Sequence, residues 1–205
     1  MEVRGTVDHP FAVTFDYRCP FACNVHERLV AALEAGAQWD VTFLPFSLGQ
    51  AHVGPGEPDV WDDPARDTGL LAMQYGVAVR DRQPEAFPGV HRELFSIRHR
   101  LGRSLADETE LLAALARAGA DADAATEVVG SGESLGTIRK EHDAAVVEHD
   151  VWGVPTFVAG ERAAFVRLDT RVEDDPDPTA TIERLVDMLV GWPELNEFKH
   201  TTLER

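Results

Sequence analysis

The chain has 205 residues, 44% hydrophobic and 27% charged, which is enough to build a sizeable core and too apolar for a disordered segment. A formal net charge of −17 argues against nucleic acid and anionic membranes as partners, because both need clustered cations. No run approaches the roughly 18 apolar residues of a membrane span, and Met1 to Gly5 shows no basic stretch or cleavage signal, so a cytoplasmic protein is expected.

Phe11 to Tyr17 reads as a strand running into a turn at Cys19. A helix follows, with Val25, Leu29, Val30 and Leu33 on its apolar side and Gly36 just past its end. Val41 to Leu44 is a second strand, cut off by Pro45; strands joined through a helix are expected to be parallel. From Gln50 to Pro64 the chain is rich in Gly, Pro and Asp and reads as a loop. Between Pro64 and Val151 it reads as helices only: one around Leu70 to Val77, one around Val90 to Ile97, and one opened by an Asp107–Glu110 capping box. A longer helix is expected from Ser134 to Asp150, with Ile138, Ala145 and Val146 on its apolar side. Strand character returns at Val154 to Val158 and at Ala163 to Leu168, with a turn at Gly160-Glu161 between them. A last helix passes through Ile182, Leu185, Val186 and Leu189 and closes at Gly191. The order is β-α-β, helical block, β-β-α.

Chemistry concentrates at Cys19-Pro20-Phe21-Ala22, where a strand turns into a helix. Unpaired amides at a helix start favour a thiolate, so Cys19 is expected to have a depressed pKa and to act as a nucleophile. Pro20 suits the first helical turn, where its missing N–H costs nothing. Arg18 could add to the effect by charge. The only other cysteine, Cys23, lies four residues on. Helical neighbours at that spacing hold their Cβ atoms about 5–6 Å apart, against about 3.5–4.5 Å in a disulfide. Cys23 is therefore expected to be a packing residue, with a resolving thiol as the other reading. The eight histidines form no metal-like cluster, His26 reads as structural, and no metal is expected.

Two motifs carry a family resemblance. Asp16-Tyr17-Arg18-Cys19-Pro20-Phe21-Ala22 resembles the start of the first helix in the DsbA-like thioredoxin superfamily. Gly153-Val154-Pro155-Thr156-Phe157 resembles its valine–cis-proline–threonine loop. Phe43 to Leu48 is similar to a strand-end segment of the cytosolic branch, which includes 2-hydroxychromene-2-carboxylate isomerases, kappa-class glutathione transferases and mycothiol-linked reductases. The resemblance departs at Ala22, where a dithiol enzyme carries its second cysteine. It implies an α/β thioredoxin-like fold with an inserted all-helical domain: residues 8–50 and 151–191 form the thioredoxin part, 51–150 the insert, and 192–205 a tail. It further implies a cis Pro155 facing Cys19, with Val154, Pro155 and Thr156 positioning a substrate or small thiol. Phe21 and Trp152 flank the motifs, as an apolar floor or as plain core, and His52 could face the cleft.

The expected function is a thiol-disulfide oxidoreductase acting through Cys19 alone on a small-molecule or disulfide substrate. It would have no tightly bound cofactor and would use a low-molecular-weight thiol, mycothiol or glutathione. Scarcity of lysine, with only Lys140 and Lys199, suggests a high-GC source and hence mycothiol. Two rivals stand beside it: a glutathione-type transferase or isomerase without net redox change, and a non-catalytic binding protein on the same fold. The oligomeric state is open, a homodimer included.

Overall fold

The computed structural model describes residues 9–197 and residue 199. Four strands form one sheet in the order β2-β1-β3-β4, with β1 Phe11–Phe15, β2 Val41–Pro45, β3 Thr156–Ala159 and β4 Arg162–Phe165. β1 and β2 are parallel, with Phe11 opposite Val41 and Phe15 opposite Pro45. β3 runs antiparallel to β1, and β4 antiparallel to β3. β1 is thus a central strand, and four of its five residues are buried, as expected of a strand covered on both faces. Pro45 ends β2 without breaking a ladder because β2 is an edge.

Helix α1, Pro20–Glu34, starts at Cys19 as its N-cap and is followed by Gly36 at φ +99°. Its buried face includes Val25, Leu29 and Val30, and it packs against α8, Pro178–Gly191. Between β2 and β3 come only helices: the single turn α2 Leu48–Ala51, then α3 Leu70–Arg82, α4 Phe87–His99, α5 Glu108–Arg117, α6 Ala122–Gly130 and α7 Glu133–His149, with a short 3-10 turn at Pro64–Arg66. α4 packs on α1 and α3, and α7 packs on α3 and β2, so the helical block shares its core with the sheet domain. No helix in the described residues is long and apolar enough to cross a membrane.

Several local expectations change. α6 carries no signal in the sequence, because it is alanine-rich and only Ala125 is buried, leaving no apolar period. Asp107 caps α5 through the amides of Thr109 and Glu110, but Glu110 turns its carboxylate to Arg103 at 2.7 Å, so half of the capping box forms. On α7 the buried row is Ile138, His142 and Ala145; Val146 sits a quarter-turn off it and is 40% exposed. β3 begins at Thr156, two residues later than expected, directly after the cis Val154–Pro155 bond. β4 stops at Phe165, and Gly191 is the last residue of α8 rather than its terminator, Trp192 being the cap. Half of the expected tail, 192–205, lies outside the described residues.

Two buried polar assemblies hold α1 in place. Arg28, 2% exposed, spends its guanidinium on Asp175 Oδ2 (2.6 Å), the carbonyls of Asn24, Thr170 and Arg171, and Thr170 Oγ1. Asn24 donates to Leu168 O at 2.7 Å, so α1 also fixes the segment that carries Arg167. On the other side His26 Nε2 meets Thr14 O at 3.1 Å, His91 Nε2 meets His26 Nδ1 at 3.0 Å, and Tyr17 Oη meets His91 Nδ1 at 2.8 Å. Because the Thr14 carbonyl can only accept, the donors must run from Tyr17 through His91 and His26 to Thr14. Burial pushes the His26 pKa down to about 4 and that of His91 well below its ordinary value, so both rings are neutral.

Candidate active site

The turn before α1 is built on carboxylates. The Asp16 side chain, fully buried, accepts from Arg18 N (2.9 Å), from the Arg18 guanidinium (2.6 Å) and from Leu48 N (2.9 Å). Arg18 also reaches Asp67 at 2.9 Å, and Asp67 in turn accepts from Ser47 Oγ and Gly69 N. Glycine is required at two points of this cluster. A Cβ on Gly49 would lie 2.0 Å from Asp67 Oδ2, and one on Gly69 would lie 2.6 Å from Arg18 Nε. The cluster ties the turn to α2 and to the start of α3, so the helical block helps to aim the turn.

Cys19 is held from two directions. As N-cap, with φ −83° and ψ 120°, it places Sγ 3.5 Å from Ala22 N, an amide that α1 leaves without a helical partner. Across from it, the thiol donates to Val154 O at 3.4 Å, next to cis Pro155. The Val154–Pro155 loop is fixed to β1, since Thr156 N donates to Thr14 Oγ1 at 2.8 Å and Thr156 Oγ1 donates to Gly153 O at 2.8 Å. Cys19, Val154, Pro155 and Thr156 are therefore brought together as the two motifs suggest.

The electrostatics at Cys19 overturn one expectation. Its pKa lies above, not below, the ordinary thiol value, and burial is the largest cause. The amides of Ala22 and Phe21 and the charge of Arg167 pull it down, while the Asp16 carboxylate opposes them. With Cys19 8% exposed and a carbonyl to donate to, the neutral thiol is the resting form. Arg18 is not the helpful cation, because Asp16 and Asp67 hold it on both sides. Arg167 takes that role from a loop 148 positions away, with its guanidinium 4.9 Å over the Phe21 ring. No pattern in the sequence points to Arg167; only the Asn24–Leu168 tether puts it there.

The remaining candidates separate. Ala22 is fully buried and Pro20 is exposed. Trp152, 68% exposed, packs its ring on Phe165 of β4 at 4.5 Å, whereas Phe21 lies under Arg167, so each ring has its own partner. His52 caps α2, where its Nδ1 contacts Leu48 O, and lines a recess of about 190 Å³ with Arg18, Val53, Arg66 and Asp67; Cys19 is not part of that lining. Cys23 is 2% exposed and forms no disulfide. Burial and the neighbouring Glu27 carboxylate push its pKa up to about 12. Glu27 is itself buried and bonded to Arg100 at 2.8 Å.

Strand, capping cysteine, facing cis-proline and an inserted helical block together define a thioredoxin-fold protein with a single thiol at its reactive position. The model of the DSBA-like thioredoxin domain matches residues 12–173, and the chain belongs to that family. Among solved structures it is similar to DsbA of Pseudomonas aeruginosa, at 21% identity over 91% of this chain and 84% of that one, with a TM-score of 0.56. It is also similar to a thioredoxin-like oxidoreductase from Silicibacter pomeroyi (18%, 88% and 85%, TM-score 0.56). A third similar structure is a 2-hydroxychromene-2-carboxylate isomerase (18%, 76% and 87%, TM-score 0.58). At these identities the likenesses establish the fold. No curated protein matches the chain by sequence.

Proposed function

We propose that this protein is a cytoplasmic thiol-disulfide oxidoreductase that works through Cys19 as a lone nucleophile, with a low-molecular-weight thiol, mycothiol or glutathione, as its reductant. The observation that carries the reading is the position of Cys19 Sγ, between the Ala22 amide and the Val154 carbonyl beside cis Pro155. At rest the carbonyl keeps the proton on sulfur. An incoming substrate whose N–H occupies Val154 O removes that acceptor, and the sulfur is left facing amides and Arg167, which favour the anion. The thiolate then attacks a disulfide R–S–S–R′: the Sγ–S bond forms, the S–S bond breaks, and R′S⁻ leaves with the electron pair and takes up a proton. A small thiolate attacks the mixed disulfide next, forming a new disulfide with R–S and returning Cys19 as the thiol. Cys23, protonated at neutral pH and turned towards Glu27, is left out of the cycle.

One observation favours the isomerase-type reading as a second choice. A neutral thiol at a helix N-cap can donate to a bound thiol cofactor as a hydroxyl would, without changing oxidation state. Intact mass after incubation with an oxidised small thiol tests the two. The oxidoreductase reading expects one adduct, absent in Cys19→Ser and unchanged in Cys23→Ser. If the protein stays unmodified yet isomerises an aromatic substrate, and Cys19→Ser retains that turnover, the second reading replaces the first.

A further inference from the structure

Thr14 is the only polar residue of β1, an inner strand, and it is fully buried. A hydroxyl there is costly unless it is bonded, and Thr14 is bonded at both of its oxygens. Oγ1 accepts from Thr156 N at 2.8 Å and donates over 3.4 Å to Gly153 O, so it reaches both ends of the Gly153–Thr156 segment. The backbone oxygen takes the last donor of the Tyr17–His91–His26 chain, 3.1 Å from His26 Nε2. That chain begins at Tyr17, two residues before Cys19, and His99 Nε2 of α4 donates to Tyr17 O at 2.9 Å. A Cβ on Gly76 would lie 2.3 Å from Tyr17 Oη, so α3 has to be bare at that point for the chain to form. Thr14 therefore serves both sides of the site: its carbonyl braces the turn that carries Cys19, and its hydroxyl holds the segment that carries Val154.

We propose that Thr14 is a positioning residue for the Cys19 thiol: by holding the Gly153–Thr156 segment against β1, its hydroxyl keeps the Val154 carbonyl where it accepts the proton of Sγ, at 3.4 Å. The inference rests on the reading of Cys19 as the reacting atom. Thr14 acts through the segment alone, and no proton or electron passes through it. The segment has one other tie across the fold, Val166 N to Pro155 O at 3.0 Å, which leads to the end of β4 and not to the strand that carries the cysteine turn. Valine has the shape of threonine without the hydroxyl. In Thr14→Val the amide of Thr156, a residue 4% exposed, loses its acceptor, and a buried amide without a partner is avoided strongly enough to shift the backbone that carries it. The thiol then loses Val154 O, and with it a bond that favours the protonated sulfur. Serine keeps the hydroxyl and with it the tie.

Titration of the Cys19 thiolate by its ultraviolet absorbance, on the full chain in a Cys23→Ser background, tests this. Thr14→Val is expected to lower the midpoint by about half a pH unit, which is about a three-fold gain in thiolate below the midpoint. Thr14→Ser is expected to keep the parent midpoint. Thr126→Val, exposed on α6, controls for the substitution itself and should change nothing. A residue that only packs would lower stability and leave the midpoint alone. An unchanged or raised midpoint in folded Thr14→Val, or a lowered one in Thr14→Ser, therefore overturns the proposal. Amide hydrogen exchange in the unsubstituted protein decides the matter independently of whether Thr14→Val folds. The Thr156 amide is expected to exchange as slowly as the amides of β1, and exchange about ten-fold faster than theirs overturns the proposal. Neither measurement needs turnover. If no small-thiol adduct forms on Cys19, the redox reading falls while the midpoint and the exchange rate still decide the role of Thr14.

Discussion

The two thiols of α1 sit one turn apart, both more than nine-tenths buried, yet their surroundings prepare them for different fates. Cys19 faces amides that can stabilise a negative charge, with Arg167 nearby and a carbonyl that a substrate can take over. Cys23 faces the buried carboxylate of Glu27, and a charge on its sulfur would be repelled as well as desolvated. Burial raises both pKa values; what separates them is the sign of the groups that remain when the proton leaves. The comparison also explains why a second cysteine one residue past the usual place is no substitute for a dithiol. Residue 22 gives its backbone amide to Sγ, and Cys23 lies beside the Glu27–Arg100 ion pair.

Restoring the dithiol should have the largest effect. Ala22→Cys is expected to convert the small-thiol adduct on Cys19 into an internal disulfide, read by mass as loss of the adduct and of two hydrogens. Ala22 is fully buried, so the added sulfur should also lower stability by about 1–3 kcal/mol. An adduct that persists in a folded variant would mean that the fourth position does not face Cys19.

Acid should loosen the support beneath the Cys19 turn. The ordinary histidine value near 6.5 applies to the unfolded chain, which takes up a proton first as pH falls. Stability from neutral His26 is therefore full above about pH 6.5 and is lost as the pH drops to about 4, the value in the fold, amounting to about 3 kcal/mol. His91, shifted in the same direction, adds to the loss. Urea denaturation across this range should show the midpoint falling with pH, and a His26→Phe variant should flatten the profile between pH 6.5 and 4.

Glu27→Gln sharpens the contrast most gently. It removes the carboxylate facing Cys23 and one of the two carboxylates of Arg100, which keeps Glu173, so a loss of about 2 kcal/mol is expected. The Cys23 pKa should fall from about 12, seen as faster labelling in a Cys19→Ser background. Labelling at Cys19 should not change.

Much of this was legible in the residues because the signals are local. A strand, a Cys-Pro turn and a Gly-Val-Pro-Thr segment each announce themselves within a few positions, and their order implied the sheet and the inserted helices. The direction of the Cys19 pKa was not legible, since it depends on how deeply packing sinks the sulfur and on which carbonyl it meets. Arg167, Asp67 and the His26–His91–Tyr17 chain were hidden for a similar reason: each includes a partner 49 or more positions away in sequence. His52 shows the converse, where nearness to a motif suggested a cleft residue and the helix α2 turned it into a separate recess.

The most direct test follows the Cys19 thiolate by its absorbance at 240 nm in Cys23→Ser, titrated from pH 5 to 11. A midpoint above the ordinary thiol value is expected, because the resting proton is held between burial and the Val154 carbonyl. A midpoint below pH 7 would contradict the account, since the amides at the start of α1 would then outweigh both.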